Sequence, residues 1–454
     1  MTNVQAEETA SVDAVAHAAR RGRHRVAVVV LGDLTRSPRT LRHALSLARA
    51  GYQVDLIGYQ GEEVAGRLAA VAGLTVHTLP SLAMERPHRL ARALFAAYAA
   101  VRGVALAASL LATLVAGVKR PSLILVQNPP AIPTLAIAWL AARLRGARWI
   151  IDWHSIGQAH LAQRLGRSHW MTRSTGRHER RLAARADAHL CVSQAMARAL
   201  PVPATVVYDR PAAGDAIDGV AARRAVLAEL GILDAAARDR TAVLVSSTSW
   251  TPDEDLSLLF EVADAWDRHR DDARSNHPDL QIVVTGRGPA RADFDKRAQA
   301  GGWKHVRFRT SWLPAGQYPR LLAAADVGIC CHVSASGIDL PIKVQDFLAA
   351  GLPSCVYDYG PVLREILEQG RDAEFFSDAA TLTAHLLDLL EGFPDASPRL
   401  DRMREHVKNV PRPSWDQEWT AGALAIFDRN CGVCEPDATD GGTAKTGSAG
   451  VEAL

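Results

Sequence analysis

"RVAVVVLGDLTRSPR", residues 25–39, decides how this chain is read. Residues 25–31 are almost entirely Val, Ala and Leu, with no polar alternation. Such a run fits a parallel strand buried on both faces. The run stops at Gly32, and Asp33, Arg36 and Arg39 follow. A dinucleotide-binding turn would put G-x-G-x-x-G here. This turn carries one glycine, one carboxylate and two cations instead. In open α/β sheets ligands sit beyond the carboxyl ends of the strands. Gly32, Asp33, Arg36 and Arg39 are therefore expected to face a ligand cleft.

The same pattern repeats outward from this stretch. "QVDLIGY", "LTVHTL", "SLILVQN", "RWIIDW", "AHLCVS" and "ATVVYD" read as further strands, separated by helical stretches such as "RTLRHALSLARAG". Strand and helix in alternation define a doubly wound α/β domain. A looser stretch around 209–240 breaks the series. A second series follows with "TAVLVSSTSW", "LQIVVTG", "HVRFRT", "VGICCHV" and "LPSCVY". "TPDED" predicts a helix start, with Thr251 as cap, Pro252 in the first turn and Glu254 closing a capping box. The expected layout is a disordered 1–22, a Rossmann-like domain over 23–210 and a second over 211–412. A helix over 413–430 crosses back to the first domain, and a disordered tail fills 436–454.

Charge divides the chain as well. Residues 1–220 hold 27 Lys and Arg against 14 Asp and Glu, and the remainder holds 25 against 35. A basic half joined to an acidic half suggests different partners, with an anionic surface or substrate for the basic one. Two neighbouring domains attracting each other would produce the same asymmetry. No nucleic-acid-binding motif accompanies the basic half, so no nucleic acid is expected. Residues 103–118, "GVALAASLLATLVAGV", carry no charge and are flanked by Arg102, Lys119 and Arg120. Sixteen residues fall short of a bilayer span. They read as a core helix or as a segment lying in the membrane interface. Cys431 and Cys434 form one lone CxxC, too few ligands for a structural zinc, and the thiols read as reduced and cytosolic.

Seven stretches in order now resemble a known family: "VVVLGDLTRSPRTLRHALSLARAGYQVDLIGY", "QNPPAIPTLAIAWLA", "IDWHSIG", "VYDRP", "LVSSTSWTPDEDLSLL", "VTGRGP" and "SASGIDLPIKVQDFLAAGLP". They are similar to the chitobiosyldiphosphodolichol β-mannosyltransferases, and the resemblance spans about residues 25–428. It implies the GT-B fold, two Rossmann-like domains facing across a cleft. It also implies transfer of mannose from GDP-mannose to a lipid-pyrophosphate-linked sugar, with inversion to a β-mannoside. Eukaryotic members carry an N-terminal membrane anchor, which is not legible here. The expected setting is therefore peripheral, on the cytoplasmic face of the membrane, through the basic domain and residues 103–118.

The resemblance also distributes roles. The donor site is expected in the second half, around Ser336, Gly337 and Ile338, a loop leading to a helix start whose amides can bind phosphate. Lys343 would supply a cation there, Asp339 would meet sugar hydroxyls and Asp346 the ribose diol. Arg287, between Gly286 and Gly288, can reach a phosphate, and Thr310 and Trp312 would border the base. Ser249 offers a hydroxyl. Inversion needs a general base beside the acceptor hydroxyl. Asp33 occupies that place in the resemblance, with His154 as the other candidate. Arg36 and Arg39 would hold the acceptor pyrophosphate. Neither a tightly bound cofactor nor a divalent metal is required by this fold. Two other readings remain open: a GT-B transferase using another nucleotide sugar for surface polysaccharide, and a non-catalytic GT-B binding subunit.

Overall fold

The computed structural model describes residues 17–59, 61–80, 92–210, 217–234, 240–250, 254–272, 275–314 and 316–433. The tail 436–454, the first sixteen residues, Thr251, Pro252 and Cys434 lie outside the described residues. Two parallel sheets form the frame. The first has seven strands in the order β3-β2-β1-β4-β5-β6-β7. They are β1 (Arg25–Asp33), β2 (Gln53–Tyr59), β3 (Leu74–Thr78), β4 (Leu123–Asn128), β5 (Arg148–Trp153), β6 (Ala188–Cys191) and β7 (Thr205–Val206). The second has six, in the order β10-β9-β8-β11-β12-β13: β8 (Thr241–Ser247), β9 (Asp279–Thr285), β10 (Val306–Ser311), β11 (Val327–Cys330), β12 (Ser354–Tyr357) and β13 (Ala373–Phe376).

Burial explains why the strand runs lack alternation. Val26 through Val30 are all buried at the centre of the first sheet, with Val26 paired to both Val54 and Leu123. Helices cover both faces. One face holds the helices Arg92–Ala112, Thr134–Arg145 and Trp170–Ala183, which contribute Leu110, Leu135, Ala138 and Leu182 to its core. Residues 103–118 lie in the first of these and its continuation Thr113–Gly117. Leu110, Leu114 and Val118 are buried, whereas Val101 and Val104 are 69% and 70% exposed. No helix among the described residues is long and apolar enough to cross a membrane.

The other face holds the helix Pro38–Arg49 and, from the far end of the chain, residues 415–431. Ser414 and Gln417 form a capping box at the start of that last segment. Trp415 Nε1 donates to Ser46 Oγ at 2.9 Å, and Trp419 Nε1 donates to His43 Nδ1 at 3.0 Å. Asp428 accepts from Tyr52 Oη at 2.6 Å and from Arg21 at 2.7 and 2.8 Å. Arg21 lies in a helical turn over 17–21, inside the stretch 1–22 expected to be disordered. The C-terminal segment is thus part of the first domain's core and returns the chain across the molecule. Cys431 is buried in it, and burial pushes its thiol up to about 12.

A second link between the domains runs through Glu365. Its carboxylate accepts the amides of Gln194 at 2.8 Å and Ala195 at 2.7 Å and the Tyr208 hydroxyl at 3.0 Å, all from the first domain.

Candidate active site

The carboxyl ends of β1, β4 and β5 carry Asp33, Asn128 and the residues from His154 onward. Asp33 caps the short turn Leu34–Arg36: its Oδ1 accepts the Thr35 amide at 2.9 Å and the Thr35 hydroxyl at 2.7 Å. Gly32 and Asp33 are half-buried and Arg36 is exposed.

Arg39 corrects the sequence reading. It is 1% exposed. Its guanidinium grips Asp152 through two bonds of 2.8 and 2.7 Å, and its Nη1 donates to Asp209 at 2.9 Å and to the Val207 carbonyl at 2.8 Å. A side chain so enclosed does not reach an acceptor pyrophosphate. It joins the helix after β1 to the ends of β5 and β7. Burial alone would raise Asp152 and Asp209, but the charge and hydrogen bonds of Arg39, together with His43 beside Asp152 and His154 and Arg42 near Asp209, outweigh it and hold both below the usual carboxylate range. His43 adjoins them, its Nε2 3.4 Å from Asp152. Its Nδ1 accepts the Trp419 indole N–H, which can only donate, so the proton of the neutral ring is on Nε2. Burial pushes this imidazole below its usual value.

His154 stands at the edge of this network, one-third exposed, with Nε2 3.7 Å from Asp209 Oδ2. Its amide donates to Asn128 O at 2.9 Å. Behind it Glu179, which sequence reasoning missed, binds the Asn128 side chain at 2.9 Å and the amides of Gly157 and Gln158 at 2.8 and 3.1 Å. Burial raises Glu179, and these bonds pull it back. The loop that presents His154 is therefore held from within the domain.

In the second domain, Ser336, Gly337 and Ile338 do not open their amides toward a phosphate. Ser334 Oγ accepts the amides of Gly337 at 2.8 Å and Ser336 at 3.3 Å, and Ser336 Oγ accepts that of Ile338 at 3.3 Å. Asp339 closes the loop by accepting the hydroxyls of Ser334 at 2.7 Å and Ser336. Ser155, from the first domain, reaches Asp339 at 3.4 Å, and Ser193 donates to Ile338 O. The Ile338 side chain packs against the first domain's core. The loop is a seam between domains, and the helix proper, Ile342–Ala349, starts after it with no side-chain cap on its first turn.

Lys343 sits in that first turn and pairs with Glu254. Glu254 also accepts the Thr248 hydroxyl and the Ser249 amide, the latter at 3.0 Å. Glu254 therefore does not close a capping box: the following helix begins at Leu258, and the carboxylate turns toward Lys343. Asp346, one turn further along, is half-buried with the Tyr318 hydroxyl 3.3 Å from its Oδ2. That hydroxyl is 3.1 Å from Ser247 Oγ. Burial raises Asp346 to about 6, against the opposing pull of Arg42 from the first domain and of Lys343.

Gly286 and Gly288 are required by packing. A Cβ on either would collide with the carbonyl of Thr248 or Ser249, so the two loops after β8 and β9 form one surface. On it Arg287 lies over the Trp312 ring at 4.3 Å, and Trp312 is 50% exposed. Thr310 is half-buried, its hydroxyl donating to Asp295 at 2.7 Å and accepting from Arg291 at 3.2 Å, both on the helix Arg291–Ala300. Its hydroxyl is thus already engaged by two side chains of the same domain. No cluster of three or more His, Cys, Asp or Glu side chains that could hold a metal ion occurs among the described residues.

Two parallel sheets of this order with a C-terminal helix returning to the first domain have the GT-B architecture. HepE of Anabaena, in a crystal structure with UDP and glucose, superposes with a TM-score of 0.62 at 13% identity, covering 88% of this chain and 98% of HepE. The Glycosyl transferase 4-like domain matches residues 37–208 and the Glycosyl transferases group 1 domain matches 240–392. The human chitobiosyldiphosphodolichol beta-mannosyltransferase is 32% identical over 90% of this chain and 94% of its own length. The Arabidopsis thaliana UDP-glycosyltransferase TURAN is 34% identical over 87% of this chain and 96% of its own. The chain belongs to the chitobiosyldiphosphodolichol beta-mannosyltransferase family and is a glycosyltransferase.

Proposed function

We propose that the protein transfers mannose from GDP-mannose to a lipid-pyrophosphate-linked N-acetylglucosamine disaccharide, with inversion, at the cytoplasmic face of a membrane. The similarity to the human β-mannosyltransferase along nearly the whole of both chains carries this reading. The donor would lie against the second domain. The uncapped first turn at Ile342 and Lys343 would meet the diphosphate, with Arg287 beside it. Asp346 would accept the ribose hydroxyls, and Trp312 would border the base. Ser249 lines the same surface.

Asp33 is the proposed general base. Both of its bonds fall on Oδ1, which fixes the carboxylate and directs Oδ2 to the acceptor hydroxyl. The hydroxyl proton moves to Oδ2 as its oxygen attacks the anomeric carbon and the C–O bond to the diphosphate breaks. The geometry also supports His154 as the partner of the donor sugar or as the base itself, since its ring is one-third exposed at the strand-end edge with Nε2 3.7 Å from buried Asp209. Arg36, exposed beside Asp33, remains as a cation for the acceptor pyrophosphate.

A second reading keeps the chemistry and changes the donor to a UDP sugar, because a relative of equal similarity, TURAN, is a UDP-glycosyltransferase. The test is turnover of GDP-mannose and UDP sugars on a short-chain lipid-pyrophosphate disaccharide, with the product treated with β-mannosidase. A mannosidase-sensitive product from GDP-mannose supports the proposal. Turnover restricted to a UDP sugar supports the second reading instead.

A further inference from the structure

Residues 86–183 contain fifteen Lys and Arg but only two carboxylates, Asp152 and Glu179, and both are buried, Asp152 on Arg39. This stretch supplies the three helices on one face of the seven-stranded sheet. A helix that precedes a parallel strand must run back toward that strand's amino end. The starts of the helices Thr134–Arg145 and Trp170–Ala183 therefore lie at the carboxyl ends of the strands, the same edge that presents Asp33 and His154.

This edge exposes large apolar side chains. Trp170 is 67% exposed, Ile132 50%, Leu165 43% and Met171 41%. Three of them stand within seven residues, Leu165 at the end of the helix Gly157–Leu165 and Trp170 and Met171 at the start of the helix Trp170–Ala183. Arg164, Arg167, Arg173 and Arg177 surround them, all exposed. None of these four arginines is ion-paired among the described residues. A partner for this rim must be apolar at depth and anionic at its surface. Anionic headgroups over acyl chains meet both requirements: guanidinium groups bind phosphates, and Trp sits at the boundary between headgroup and chain.

We propose that the rim formed by Ile132 and Leu165–Arg177 docks onto an anionic lipid surface, with Trp170 inserted and the arginines among the headgroups. This rests on the lipid-linked acceptor proposed above, and it shifts the membrane contact from residues 103–118 to the mouth of the cleft. An acceptor pyrophosphate leaving the bilayer would then emerge beside Asp33.

The test is sedimentation of the full chain with phosphatidylcholine vesicles, with and without phosphatidylglycerol. Quenching of Trp fluorescence by brominated acyl chains measures insertion. Wild type is expected to bind the anionic vesicles, and to release them at high salt. The double variant Arg167→Glu/Arg173→Glu should bind at least 25-fold less, about fivefold per arginine. Trp170→Ala should lose the bromine quenching. Both variants change exposed side chains and should melt with wild type and bind nucleotide equally in solution. Absence of vesicle binding by wild type, equal binding to both lipids, or binding that survives charge reversal would overturn the docking surface. Nucleotide binding and turnover of a water-soluble acceptor do not involve vesicles, so failure there rejects the proposed function and leaves docking to be judged by sedimentation.

Discussion

The two domains treat charge at their strand ends in opposite ways. In the first domain Arg39 lies between Asp152 and Asp209, fully enclosed, and both carboxylates are held below their usual range. In the second, Asp346 is half-buried beside a neutral tyrosine, and burial lifts it to about 6. A buried carboxylate with a bidentate arginine is fixed in charge and position. A carboxylate lifted toward neutral pH retains a protonation change within reach, a feature that clusters at functional sites. The contrast separates a charge network that ties the helix after β1 to the ends of β5 and β7 from the one proposed above to meet the nucleotide sugar.

Removing the central cation should break the first network with the largest effect. Arg39→Met leaves two buried carboxylates without their partner, and denaturant unfolding should register a loss of about 3–5 kcal/mol. Adding Asp152→Asn should recover part of it. A loss under about 1 kcal/mol would mean that the network is not what holds β5 and β7 to the helix after β1.

Asp33→Asn probes the open edge of the same domain. Turnover should fall by about 10²-fold or more while nucleotide affinity stays at the wild-type value. A change in melting temperature with turnover retained would reduce Asp33 to the turn cap its bonds to Thr35 already describe.

The smallest effect sharpens the second network. Asp346 has a folded-state pKa above its unfolded value, so the folded state binds more protons between about pH 4 and 6. Stability therefore declines as pH rises through that window. Asp346→Asn removes the penalty and should stabilise the protein at pH 7.5 by about 1–2 kcal/mol, a figure reduced for solvent access to the half-buried side chain. The gain should vanish near pH 4. Nucleotide affinity of wild type should fall below about pH 6, and the variant should bind weakly at both values. A variant that is no more stable at pH 7.5 would contradict the assigned shift.

The fold was legible because most of its strands are short apolar runs, and the runs read in the sequence became twelve of the thirteen strands among the described residues. The thirteenth, β13, reads "AEFF", with Glu374 buried against Arg399; a buried acid disguises a strand of four residues. The site was legible in part. Asp33, Ser249, Arg287, Trp312, Lys343 and Asp346 all fall on strand-end loops or the helix start after β11. Arg39 was misread because nothing local shows that Asp152 and Asp209 converge on it from 113 and 170 residues away. Glu179 and Ser334 went unnoticed for a similar reason. Their roles are to bind backbone amides, and amide partners leave no residue-type signal.

The second domain's edge around Lys343 is proposed to bind a guanosine diphosphate sugar. Calorimetric titration of wild type and Lys343→Ala with GDP, UDP and GDP-mannose tests it most directly. Wild type is expected to bind GDP and GDP-mannose, and UDP more weakly, with a roughly tenfold or greater loss in the variant. UDP preference, or nucleotide affinity unchanged by Lys343→Ala, would contradict it.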